Sequence, residues 1–209
     1  MSTVFRHCGV PYYSQWADPA FARLIVENRA DPCLDPTWRT TGFDDEDDYR
    51  LWSRRICGLA CLRSILAHWQ LGRQTHRELL EGALRWGSYV VHPDGRVDGL
   101  VYAPFAAWLQ GVFGLQVEIY PLNPLHDLTN EISDGAMAIA SVSTEIRYPT
   151  RESTRRGGHL VLVHGCDATG VWIHNPSGAT GTQADVHVSR DDFSRFFANR
   201  GMVVRRAAR

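Results

Sequence analysis

Lysine is missing from this chain. All 22 basic residues among its 209 are arginine, so no side-chain amine is available for Schiff-base or ammonium chemistry. An excess of charge is missing too. The 22 basic residues face 23 acidic ones, for a formal net charge of −1. That removes the long-range field expected of a nucleic-acid binder. No apolar stretch approaches the roughly 18 residues of a spanning helix. Residues 1–9 lack the apolar run of a signal peptide. Cysteine is sparse and odd in number, at Cys8, Cys33, Cys57, Cys61 and Cys166, with no CxxC pair. Neither a disulfide framework nor a paired-thiolate metal site is expected. These absences predict free thiols in a reducing, cytoplasmic setting, with no nucleic-acid or membrane partner.

With 44% hydrophobic and 22% charged residues, the composition is that of one ordinary globular domain. Its first half carries helical signals. Leu59, Leu62, Ile65, Leu66 and Trp69 recur at helical spacing after Cys57, and Gly72 closes the segment. Thr75 and Glu78 form a capping-box pattern ahead of Leu79, Leu80, Ala83 and Leu84. Phe105 to Val112 predicts a third helix, and Asn123-Pro124 opens a fourth. The second half reads as strands over 115–120, 136–142, 159–165, 170–174, 185–188 and 202–205. Ser189 and Asp192 cap a helix with Phe193, Phe196 and Phe197. Helices first and strands later predict an α+β fold rather than alternating βαβ units. The stretch from Ala17 to Arg50 has weak periodicity, three prolines and the acidic run Asp44 to Asp48. It reads as an inserted, lid-like segment that crosses the domain surface.

Three places carry possible chemistry: Gln15, the segment Ile56 to Leu62, and the pair His159 with Asn175. Cys57 opens an amphipathic helix, where unpaired N–H groups and the helix dipole favour a thiolate. Taken alone it reads equally well as a small buried hydrophobe. Gly58 beside it leaves room for a substrate carbonyl. His159 begins an apolar strand after Gly157-Gly158, and Asn175 ends the neighbouring strand just before Pro176. If those strands form a hairpin, Asn175 can hold the imidazole in the tautomer that serves Cys57. A strand-end histidine and an Asn-Pro turn are the plainer reading of each residue singly. His159, His164 and His174 suggest a metal, but no further ligand spacing supports one.

In order along the chain stand Val10-Pro11-Tyr12-Tyr13-Ser14-Gln15, Cys57-Gly58-Leu59-Ala60-Cys61-Leu62, Gly158-His159-Leu160-Val161-Leu162-Val163-His164-Gly165, His174-Asn175-Pro176 and Val188-Ser189-Arg190-Asp191-Asp192-Phe193. This combination resembles the C39-like cysteine peptidases of the papain-like superfamily. The resemblance implies one papain-like domain over residues 1–209. An N-terminal helical half would pack on a C-terminal antiparallel sheet, with the active site in the cleft between them. It implies Cys57 as nucleophile, His159 as general base and acid, Asn175 as orienting residue and Gln15 as oxyanion-hole donor. No metal or cofactor is implied. The expected partner is a peptide or a small amide, ester or thioester substrate. Two features depart from the pattern. Asn175 stands where many relatives carry Asp, and 42 positions separate Gln15 from Cys57. No ATP-binding or membrane domain accompanies these motifs, so the transporter-linked role of some relatives is not expected. The same site also suits a biosynthetic acyltransferase with an amine acceptor, and the same fold also suits an idle binding module.

Overall fold

Apolar runs in the second half are buried on both faces, and this sets the architecture. The computed structural model describes residues 4–122 and 124–207. Asn123, expected to open the fourth helix, lies outside them. In chain order the elements are β1 (Phe5–Arg6), α1 (Ala22–Val26), α2 (Glu46–Ser53), α3 (Cys57–His68), α4 (His76–Arg85), β2 (Tyr89–Val91), β3 (Val97–Gly99), α5 (Tyr102–Phe113), β4 (Leu115–Tyr120), α6 (Leu125–Ser133), β5 (Met137–Ser143), β6 (Gly158–Cys166), β7 (Gly170–His174), β8 (Val186–Ser189), α7 (Arg190–Phe196) and β9 (Phe197–Arg206).

Seven strands form an antiparallel sheet in the order β4-β9-β5-β6-β7-β8, with β1 paired to the far end of β6. Side chains alternate across a strand. On β5, Met137 and Ile139 join a core with α3, α4 and α5, while Ala138, Ala140 and Val142 face the opposite way. Leu160 and Leu162 of β6, and Met202 and Val204 of β9, follow the first set; Val161, Val163 and Val203 follow the second. Leu128 and Ile132 of α6, with Phe193 and Phe196 of α7, close that second face. The first three expected helices therefore cover one face of the sheet, and the fourth, α6, covers the other together with α7. Phe197, expected on the last helix, instead starts β9. None of the described helices is long and apolar enough to cross a membrane.

Residues 17–50 differ from the loop expected. They hold α1, three short 3-10 turns and the start of α2. Ala22, Ile25, Trp38, Phe43 and Tyr49 are buried in the main core. Trp38 stacks on Tyr49 at 5.2 Å, and Phe43 meets the same ring edge-on at 5.4 Å. The acidic run is the beginning of a helix. Asp45 Oδ1 accepts from the Asp48 N–H at 2.8 Å, placing carboxylates where the α2 dipole favours them. Glu46 and Asp47 pair with Arg50, and Asp48 pairs with Arg77.

Candidate active site

Helix α3 starts without a side-chain cap, because Ile56 at its N-cap offers no acceptor. The first N–H groups of that helix are left for another partner. Two contacts fix the approach to it. The Tyr89 hydroxyl donates to the Arg55 carbonyl at 3.2 Å, and Gln15 Nε2 donates to the Ser53 carbonyl at 2.8 Å. Cys57 is the first helical residue and borders a cavity of ≈ 390 Å³. Opposite it stand Gly158, His159 and Leu160 at the start of β6; Leu100, Tyr102, Ser141 and Arg200 complete much of the wall.

Hairpin β6–β7 supplies the second half of the site. Its register pairs Leu162 with His174 and Val163 with Ile173. Continued beyond the paired residues, that register carries His159 to Ser177. His159 Nε2 lies 2.8 Å from Asn175 Oδ1 and 3.0 Å from Ser177 Oγ. Asn175 Oδ1 also accepts from the Ser177 backbone N–H at 3.2 Å, which settles the orientation of its amide. With these oxygens against Nε2, the ring proton sits on Nε2. Nδ1 is left as the basic nitrogen.

Ser177 was not singled out in the sequence. A confidently placed hairpin register would have pointed to it. Arg147 was missed as well. Its Nε donates to Ser177 Oγ at 2.6 Å, so a guanidinium stands one hydroxyl away from the imidazole.

The electrostatics differ from a simple helix-dipole picture. Cys57 keeps part of its surface open, but its sulfur is surrounded by protein. Burial pushes the thiol up, against the opposing pull of the Leu160 backbone N–H and the Arg147 charge. Burial also drives His159 down to about 3, helped by Arg147 and opposed by Asn175. Burial thus favours the uncharged form of both groups. An ion pair is disfavoured because a half-buried cation, Arg147, already stands one hydroxyl from the histidine and Asn175 brings no negative charge.

Gln15 is brought near but not into the cleft. It is buried and does not border the cavity, and its Oε1 has no partner. Its backbone N–H donates to the Pro176 carbonyl at 2.9 Å, so Gln15 ties the Asn175 loop to the segment before Cys57. Gly58 serves packing rather than substrate access. A Cβ there would come within 2.8 Å of Leu100 Cδ2 and 2.9 Å of Leu160 Cδ1. Cys61 is buried one turn into α3, as core.

His164, His174 and Asp185 do cluster, with one candidate ligand atom from each within 4.8 Å of one another. His174 has both nitrogens engaged, one receiving the Asp185 N–H at 3.0 Å and the other donating to the Val10 carbonyl at 2.9 Å. Asp185 is paired with Arg6 at 2.6 Å. His164 makes no hydrogen bond and its Nε2 lies 3.4 Å from Asp185 Oδ1, and one unengaged imidazole does not make a metal site.

No family model and no curated protein matches the chain. Among solved structures, the fold is similar to a double glycine motif protease from an AMS/PCAT transporter, determined in complex with the leader peptide. The TM-score is 0.46 at 18% identity, over 72% of this chain and 84% of that one. It is also similar to a candidate C39-like peptidase from Bacillus anthracis, with a TM-score of 0.47 at 11% identity, over 99% of this chain and 100% of that one.

Proposed function

We propose that this chain is a cysteine-dependent acyl-transfer enzyme that hydrolyses an amide bond through a thioester on Cys57. One observation carries the reading. An uncapped helix start bearing Cys57 and a histidine held through Nε2 by Asn175 border the same cavity. That is the arrangement nucleophilic cysteine catalysis needs, a thiol beside an oriented base.

The resting pair is neutral, so attack and proton transfer are coupled. The Cys57 sulfur bonds to the substrate carbonyl carbon while its proton passes to His159 Nδ1. The carbonyl oxygen becomes an oxyanion facing the free N–H of Cys57 at the head of α3. Gln15 does not border the cavity at rest, so it enters the reading as the second donor by turning its amide from the Ser53 carbonyl toward the oxyanion when substrate binds. As the C–N bond breaks, imidazolium Nδ1–H protonates the leaving amine. Water then attacks the thioester carbonyl, gives a proton to Nδ1, and the acid departs as the C–S bond breaks. Arg147 stabilises the negative charge that develops at sulfur and oxygen, and Asn175 holds the ring in one tautomer throughout. The chemistry asks for no metal.

Intact-mass measurement after brief mixing with activated acyl donors tests this. The expected result is one acyl adduct on Cys57 that decays in water, and none in Cys57→Ala. Added amines report the acceptor, since an amide product in their place assigns amine transfer. Adducts on Cys61 or Cys166 with Cys57 free would overturn the assignment.

A further inference from the structure

Three arginines line the cleft that holds Cys57, and no Asp or Glu does, among the described residues. Arg54 and Arg55 immediately precede Ile56 and the nucleophile. Arg200 comes from β9 on the far side. Arg54 Nη1 donates to the Ile25 carbonyl at 3.0 Å and to Asn28 Oδ1 at 3.4 Å, so the inserted segment holds one edge of its guanidinium. Arg55 Nη1 donates to the Leu51 carbonyl. Arg200 lies over Gly157, where a Cβ would come within 2.6 Å of its Nη2. Gly157 therefore leaves the space that the guanidinium occupies, beside Gly158 and His159.

These three cations have no ion-pair partner among the described residues. Eight other arginines do, namely Arg6, Arg23, Arg29, Arg50, Arg77, Arg96, Arg195 and Arg205. Other arginines are unpaired as well, so what sets these three apart is their place in a cavity wall that holds no acidic residue among the described residues. Asp98, which adjoins Gly99 of the cleft wall, is paired with His92 and Arg96, and Glu145 is taken up by the Ser143 and Thr154 hydroxyls. A further cation, Arg155, lies 4.0 Å from where a Gly158 Cβ would be. A guanidinium presents a planar fork of donors that matches a carboxylate or a phosphate, and unpaired forks in a concave site concentrate anions.

We infer that the cleft takes an anionic acyl donor, with Arg54, Arg55 and Arg200 receiving a carboxylate or phosphate beside the carbonyl that Cys57 attacks. This rests on the acyl-transfer reading and narrows its substrate class. The acidic run of the inserted segment does not oppose it, since Glu46, Asp47 and Asp48 are paired with Arg50 and Arg77.

Binding and reactivity test the inference separately. Tripeptide amides with a central Glu, phosphoserine, Gln or Lys are titrated into full-length Cys57→Ala protein, where no chemistry intervenes. The Glu or phosphoserine peptide should bind at least about tenfold tighter than the Gln peptide, and the Lys peptide weakest. The stronger of the two anionic peptides distinguishes carboxylate from phosphate. The preference should shrink from about 0.05 to about 0.5 M salt, and in Arg55→Gln/Arg200→Gln. Binding of the Glu and phosphoserine peptides no tighter than the Gln peptide overturns the inference. In the native protein, alkylation by anionic iodoacetate is compared with neutral iodoacetamide at Cys57, with exposed Cys8 as internal reference. The iodoacetate-to-iodoacetamide rate ratio should exceed that of Cys8 and fall toward it in the double variant. A Cys57 that reacts with both but shows the Cys8 ratio overturns the anion site and leaves acyl transfer standing. Anion binding with an inert Cys57 does the reverse.

Discussion

Arg147 reaches His159 through a single hydroxyl, that of Ser177, with 2.6 Å on the arginine side and 3.0 Å on the histidine side. A cation so placed discourages a second positive charge on the ring and encourages a negative one on the Cys57 sulfur. It sets the two reacting groups in opposite senses to a carboxylate in the third position.

Neutralising that cation should move both groups upward. In Arg147→Gln, the acid limb of the kcat/KM profile, set by His159, should rise by about one pH unit. The pH at which Cys57 becomes reactive to iodoacetamide should rise with it. Arg147→Lys keeps the charge and should restore both limbs in part. A variant with lower activity but unmoved limbs would make Arg147 a packing residue only.

Stability should fall steeply on acidification. His76, His159 and His164 are each pushed down to about 3, chiefly by burial. In the unfolded chain they take up protons near pH 6.5, so between about 6.5 and 3 the unfolded state binds more protons than the folded one. Each such histidine is then worth about 1.4 kcal/mol of lost stability per pH unit in that window, and nothing above it. His76 has both nitrogens buried without partners. Replacing it with Leu should cut the slope of unfolding free energy against pH by about one proton's worth. Denaturant titrations at stepped pH measure this, and an unchanged slope would show that His76 does not contribute.

Gly58→Ala should reshape the cleft rather than block it. The new methyl has to displace the tips of Leu100 and Leu160, both of which line the cavity. Overpacking of this kind costs about 1–3 kcal/mol. For a chain of this size that is about 2–4 °C of melting temperature for each kcal/mol. Calorimetry reads the cost. A full-activity variant with unchanged melting would mean the two leucines yield freely.

Gln15→Ala separates two roles of one side chain. Loss of an oxyanion donor should lower kcat by about 10²–10³ with little change in KM. Loss of the Ser53 tie alone should lower the melting temperature and leave kcat within about tenfold. The expected result is the larger drop in kcat. A drop under about threefold leaves the oxyanion to backbone N–H groups.

Long periodic elements were legible in the sequence. The spacing from Leu59 to Trp69 and the capping box at Thr75 and Glu78 both describe helices that are present, α3 and α4. The apolar runs that became β5 and β6 read as strands because both their faces are buried. Short elements were not legible. β2 and β3 have three residues each, and β1 has two, too few to show a period. In the 17–50 segment, burial comes from aromatic rings meeting one another at irregular spacing, which no periodic pattern registers. At the site, Cys57, His159 and Asn175 announced themselves by neighbours such as Gly58, Gly158 and Pro176. Ser177 and Arg147 did not, because a serine after Asn-Pro and an arginine in a turn acquire meaning only when β6 and β7 pair.

The double tie of Gln15 also bears on when this protein becomes active. Strand β1 waits for residues 165 and 166, and the Gln15 N–H waits for Pro176, more than 150 residues further along. Contacts so remote in sequence are the slowest to close as a chain folds. Residues made first are therefore fixed last, and they are the ones that lock the nucleophile's approach to the histidine's loop. A nascent or half-folded chain would carry a reactive-type cysteine on a formed helix without the clasp that aligns it. The alignment proposed for Cys57 and His159 would then be completed only as these remote contacts close.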